Sequence, residues 1–124
     1  MTALAVTVGR AAQQPRRGGG ERQIVQRTDI PGTNLEAVGA IHNWAAHTST
    51  SWHTHPGEMV GYVTDGTVVI QQRGRPTLTL KAGESFVIPA GLAHETINDG
   101  DDPAHMFVTY IVPKNQPLSQ GAAK

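Results

Sequence analysis

The chain reads as an all-β protein, a sandwich or barrel of short strands. Three observations carry that reading. Turn signals recur roughly every 8–12 residues, among them Pro31-Gly32, Asp65-Gly66, Gly74-Arg75 and Pro89-Ala90-Gly91. The segments between them are short, apolar or alternating with period two. No segment carries apolar residues at the spacing of an amphipathic helix.

Order is expected to begin near Ile24, with Gln23 to Arg27 as a first short strand ahead of the Pro31-Gly32 turn. Leu35 to Trp44 is a strand of mixed polarity, and His47 to Ser51 is a loop or strand edge. Met59 to Thr64 is a strand closed by Asp65-Gly66, a strong hairpin signal, and Thr67 to Arg73 is its return. Pro76 to Leu80 alternates cleanly. Ser85 to Ile88 is a short apolar strand, and Ala93 to Asn98 carries His94. After the polar loop Asn98 to Pro103, Ala104 to Val112 forms a long apolar strand ended by Pro113. The reading divides the chain into a flexible Gly/Arg-rich leader (1–22), one barrel (23–114) and a polar tail (115–124) that frays.

A chain of 124 residues holds one domain with one real core. Its formal net charge is zero but unevenly spread, with five Arg against one Glu (+4) in residues 1–27 and an acidic balance of −4 after them. That distribution argues against a nucleic-acid-binding domain. The absence of cysteine excludes disulfides, thiolate metal sites and a Cys nucleophile. No apolar run reaches the ~18 residues of a membrane span. Thr2 to Val8 is too short, and lacks the basic lead-in, for a complete signal peptide. The expectation is therefore a cytoplasmic protein, exported only if the true start lies upstream. There is no phosphate-binding glycine loop, no nucleophile elbow and no zinc-protease helix.

The chemistry concentrates in Trp52 to Gly66, WHTHPGEMVGYVTDG. On a strand, residues i and i+2 share a face, so His53 and His55 can reach one point. Two imidazoles meeting there suit a divalent transition metal, and His94 is the third ligand the chain offers.

These residues resemble the cupin family, small metal-binding barrels of the jelly-roll, or double-stranded β-helix, type. The second cupin motif is complete in Gly83, Pro89, Gly91, His94 and Asn98. The first matches at His53, His55 and Gly66, with two departures: His47 stands where a glycine is expected, and Met59 where a glutamate ligand is expected. Glu58 is adjacent but out of phase. Counting back from Asp65-Gly66, Met59, Gly61 and Val63 share one face, and Glu58, Val60 and Tyr62 the other. Met59 is therefore expected to face the metal, unless a bulge after Pro56-Gly57 brings Glu58 round instead. Gly61, on the inward face, is expected to leave space beside the metal.

The resemblance implies a metal-dependent enzyme of dioxygenase, lyase or isomerase type acting on a small organic molecule. The alternative is a non-catalytic, ligand-binding or sensing barrel, with or without metal. Fe, Mn, Ni, Cu or Zn would be held by His53, His55 and His94, with Met59 as fourth ligand or pocket wall. Without a carboxylate ligand the site keeps a higher positive charge, which favours an anionic substrate. Glu58 and His47 are weak acid–base candidates. His42 and His105 read as surface or rim residues, and Trp44 and Trp52 as packing. No nucleic-acid or membrane partner is expected. A homodimer is, since the family commonly dimerises and the strand near Ile24 could extend a partner's sheet.

Overall fold

The computed structural model describes residues 20–124. Most of the leader, residues 1–19, lies outside them. Eleven strands and no helix are found among the described residues. They are β1 (Glu21–Asp29), β2 (Leu35–Trp44), β3 (Thr48–Ser49), β4 (His53–Thr54), β5 (Glu58–Asp65), β6 (Thr67–Gln72), β7 (Arg75–Lys81), β8 (Ser85–Ile88), β9 (His94–Asn98), β10 (Ala104–Pro113) and β11 (Gln120–Gly121). One sheet runs β1-β2-β10-β5-β8 and the other β11-β4-β9-β6-β7, with β3 also on β9. Every pairing is antiparallel. The two-sheet jelly roll matches the fold class that the turn spacing predicts.

The core lies between the sheets and follows the period of two. Along β10 the buried residues are Ala104, Met106, Val108, Tyr110 and Val112; along β2 they are Val38, Ala40, His42 and Trp44. Val68, Ile70 and Leu80 meet them from the second sheet, and Phe86 and Ile88 join the core from β8 of the first. On β5, Met59, Gly61 and Val63 are buried while Glu58, Val60 and Tyr62 are exposed. No bulge follows Pro56-Gly57, because the β5–β8 register runs unbroken from Met59 opposite Ile88 to Tyr62 opposite Ser85.

Three expectations need correction. The first strand starts at Glu21, three residues before Ile24, and so takes in Arg22. The tail does not fray: Leu118 is buried, β11 pairs with β4, and the Ala122 N–H donates to the Trp52 carbonyl at 3.0 Å. A polar sequence hid this, because one buried leucine and backbone pairing hold the segment. Gly61 leaves no vacant space. A Cβ built there would lie 2.2 Å from Phe86 Cζ, so the aromatic ring occupies the room the missing side chain frees. Gly61→Ala should therefore destabilise the protein by about 1–3 kcal/mol through overpacking. Urea denaturation checks this; an unchanged midpoint would mean that Phe86 swings aside without loss.

Candidate metal centre

Two separate pieces of backbone bring the three histidines together. His53 opens β4, His55 follows that strand's last residue, and His94 opens β9 directly opposite His53. The ring centroids of His53 and His94 are 4.3 Å apart, those of His53 and His55 4.9 Å, and those of His55 and His94 5.0 Å. One ring nitrogen from each lies within 4.8 Å of the others. Two nitrogens bound at ~2.1 Å to one ion are at most about 4.2 Å apart, so a small closure would suffice.

The orientation of each ring is fixed from behind. Nδ1 of His53 is 2.9 Å from the Ser51 carbonyl oxygen, Nδ1 of His55 2.6 Å from that of Leu118, and Nδ1 of His94 2.8 Å from that of Leu92. A carbonyl oxygen can only accept, so each Nδ1 carries the hydrogen. Burial, first of all, pulls the His55 ring down to about 3 and the His94 ring to about 4, and lowers His53 as well. The rings are therefore neutral near pH 7, and each Nε2 keeps a free lone pair. Nε2 of His55 and of His94 is buried with no hydrogen-bond partner among the described residues. Two buried acceptors without partners are costly unless something electron-poor sits between them. A divalent transition metal fits that donor set, and the carbonyls behind the rings are the supports such ligands normally have.

The other predicted site residues fall elsewhere. Met59 is buried and lines a cleft that His53 and His55 also line. Glu58 points outward and accepts a hydrogen bond from the Ala90 N–H at 2.6 Å, tying down the loop between β8 and β9. His47 pairs with Asp101 at 2.8 Å, away from the three rings. Its φ is +59°, which explains why a glycine is expected at its position: the turn uses the left-handed region. Asn98 is buried and binds three carbonyls, of Trp44, Ala45 and Asp102, so it fastens a loop.

The cleft holds residues the sequence reading passed over. It has a volume of about 400 Å³. His42, read as a rim residue, is buried; its Nε2 is 3.0 Å from the Tyr110 hydroxyl, and burial pulls its ring to about 4. The alternation Ala40, His42, Trp44 was the signal that it faces inward. Tyr110 packs on His55 with centroids 4.9 Å apart, and burial raises its phenol. Trp44 and Trp52 both line the cleft, although packing alone was expected of them.

Comparison with known proteins places the fold in a family. The family model described as a cupin domain matches residues 40–110. The chain belongs to the cupin family. This cupin is 40% identical over 67 residues to the auxin-binding protein ABP19b of Prunus persica, a match over 50% of this chain and 32% of the relative. It thus spans about a third of the length of that curated relative. Among solved structures, a conserved double-stranded β-helix protein of Klebsiella pneumoniae superposes with a TM-score of 0.67 at 25% identity, over 90% of both chains. An oxalate oxidase in complex with the substrate analogue glycolate superposes with a TM-score of 0.65 at 26% identity, covering 83% of this cupin and 55% of the oxidase.

Proposed function

We propose that this cupin holds a divalent transition metal through His53, His55 and His94, and that it is an enzyme acting on a small organic anion in the adjoining cleft. The observation that carries the reading is the common arrangement of the three rings, each Nδ1 tied to a carbonyl and each Nε2 left for the shared point. Such a metal would supply Lewis-acid or oxygen chemistry. The protein's own part is to hold the rings, to exclude water around buried His94, and to place the substrate against the cluster. The structural likeness to an oxalate oxidase holding glycolate supports a small carboxylate as the kind of molecule taken. Support for a second reading, binding without turnover, comes from the name of the auxin-binding relative.

The test joins metal content to turnover. Protein purified without chelator or affinity tag should carry about one equivalent of one transition metal. Incubated with small carboxylates, it should consume oxygen or release a cleavage or isomerised product. Tight binding with no turnover would favour the second reading. No metal, even after reconstitution, would sink the first.

Met59 decides the charge of the site. A glutamate in its place would add a hard, anionic ligand on the same inward face. Met59→Glu should therefore raise affinity for Mn or Fe relative to Cu by about tenfold or more, read by competitive metal titration. Equal preferences in the two proteins would mean that position 59 does not face the ion.

A homodimer is the assembly we propose. Ile24 and Val25 are exposed on β1, which ends its sheet among the described residues, and Ile41, Val60, Tyr62, Val87 and Phe107 are exposed apolar residues of the same sheet. Light scattering at micromolar concentration tests it, and a monomer mass would refute it.

A further inference from the structure

Arg22 stands where the cleft meets the edge of the first sheet. The β1–β2 register sets it directly opposite His42, so both side chains share the face that looks toward the histidines. Its guanidinium carbon lies 5.7 Å from the centre of the Tyr110 ring, and that ring packs in turn on His55. Only a single aromatic ring separates the cation from the proposed metal centre. Nη1 of Arg22 donates to Ser119 Oγ at 3.2 Å, which anchors one corner of the fork.

Its electrostatic setting differs from that of its neighbour on the same strand. Arg27 makes two hydrogen bonds to the Glu36 carboxylate, at 3.2 and 3.3 Å. Arg22 pairs with no carboxylate among the described residues. None of the described side chains lining the cleft is acidic. Arg22 lines the same cleft as His42, His53 and His55. A guanidinium has five donors in a planar fork suited to a carboxylate; among the described residues one goes to Ser119 Oγ and the fork also hydrogen-bonds the Tyr110 side chain, which leaves donors for a ligand.

We propose that Arg22 is the specificity-determining residue of the cleft, binding the carboxylate of a small bifunctional acid whose other end reaches His53, His55 and His94. This rests on the reading of the three histidines as the reacting centre, and it narrows the substrate class. The selected molecule carries a carboxylate at one end and a second oxygen-bearing group at the other. A neutral amide of the same shape leaves the guanidinium without its counter-charge and is rejected.

The chain contains two tryptophans, Trp44 and Trp52, and both line the cleft, so their fluorescence reports what enters it. Glycolate, malonate and neutral glycolamide are titrated into the full chain, as purified and after metal removal, with metal content measured in parallel. Glycolate or malonate should bind the parent at least about tenfold more tightly than glycolamide does. Arg22→Gln should weaken the carboxylates by about 10–100-fold, the loss expected for charge-assisted hydrogen bonds, with metal content unchanged. Arg22→Lys should recover part of the affinity, because it restores the charge but not the fork. Equal carboxylate affinity in Arg22→Gln and parent would overturn the proposal. So would a parent that binds none of the three, or that does not distinguish glycolate from glycolamide. A parent devoid of metal that still binds glycolate through Arg22 would refute the metal reading alone. A metal-loaded parent indifferent to Arg22→Gln would refute the Arg22 proposal alone.

Discussion

His94→Ala should reduce the metal content of the protein from about one equivalent to less than about a tenth. His94 is wholly buried, and its Nε2 has no hydrogen-bond partner among the described residues. Structural zinc sites of four ligands bind with about 10–16 kcal/mol, so one imidazole contributes on the order of 3 kcal/mol, or 100-fold or more in affinity. The loss should exceed that from Met59→Ala, because a thioether is a weak ligand for most divalent ions. Elemental analysis of the two variants beside the parent reads the difference. His94→Gln preserves much of the side-chain volume and separates loss of the ligand from collapse of the packing, with the melting temperature as control. A His94→Ala protein that keeps a full equivalent would show that the metal binds elsewhere or through the other two rings alone.

Deleting residues 118–124 should weaken metal binding by about 10–100-fold and also lower stability by about 2–3 kcal/mol. The two effects have different origins. The Leu118 side chain is buried against the core, and its removal accounts for most of the stability loss. The Leu118 carbonyl accepts the hydrogen of His55 Nδ1 at 2.6 Å, and its removal frees the ring to turn or to change tautomer. Leu118→Ala separates them, since it loses the side chain and keeps the carbonyl. That variant should lose stability while holding metal nearly as tightly as the parent. Urea unfolding and competitive metal titration on both proteins give the four numbers needed. Unchanged affinity in the deletion would mean that water replaces the carbonyl behind His55.

Much of this molecule is written in local pattern. The Asp65-Gly66 hairpin sets the phase of β5 and with it the inward face of Met59 and the outward face of Glu58, because side chains alternate strictly along a strand. The spacing from Gly83 to Asn98 announces His94, since each glycine serves a turn that needs a left-handed residue: φ is +94° at Gly83 and +75° at Gly91. His53 and His55 declare themselves by their i, i+2 separation. Other features are set only when distant strands meet. The tail is polar, and nothing in its own order of residues shows that it will cross to β4 and lend a carbonyl to His55. Gly61 reads as a vacancy until the ring of Phe86 arrives from β8. Arg22 reads as the end of a basic leader until pairing with β2 sets it across from His42 and over Tyr110. Short-range sterics settle strand phase and turn shape within a few residues. Which backbone carbonyl backs a histidine, which ring fills a gap and which cation faces a cleft depend on contacts between residues tens of positions apart, and those exist only once the two sheets have closed.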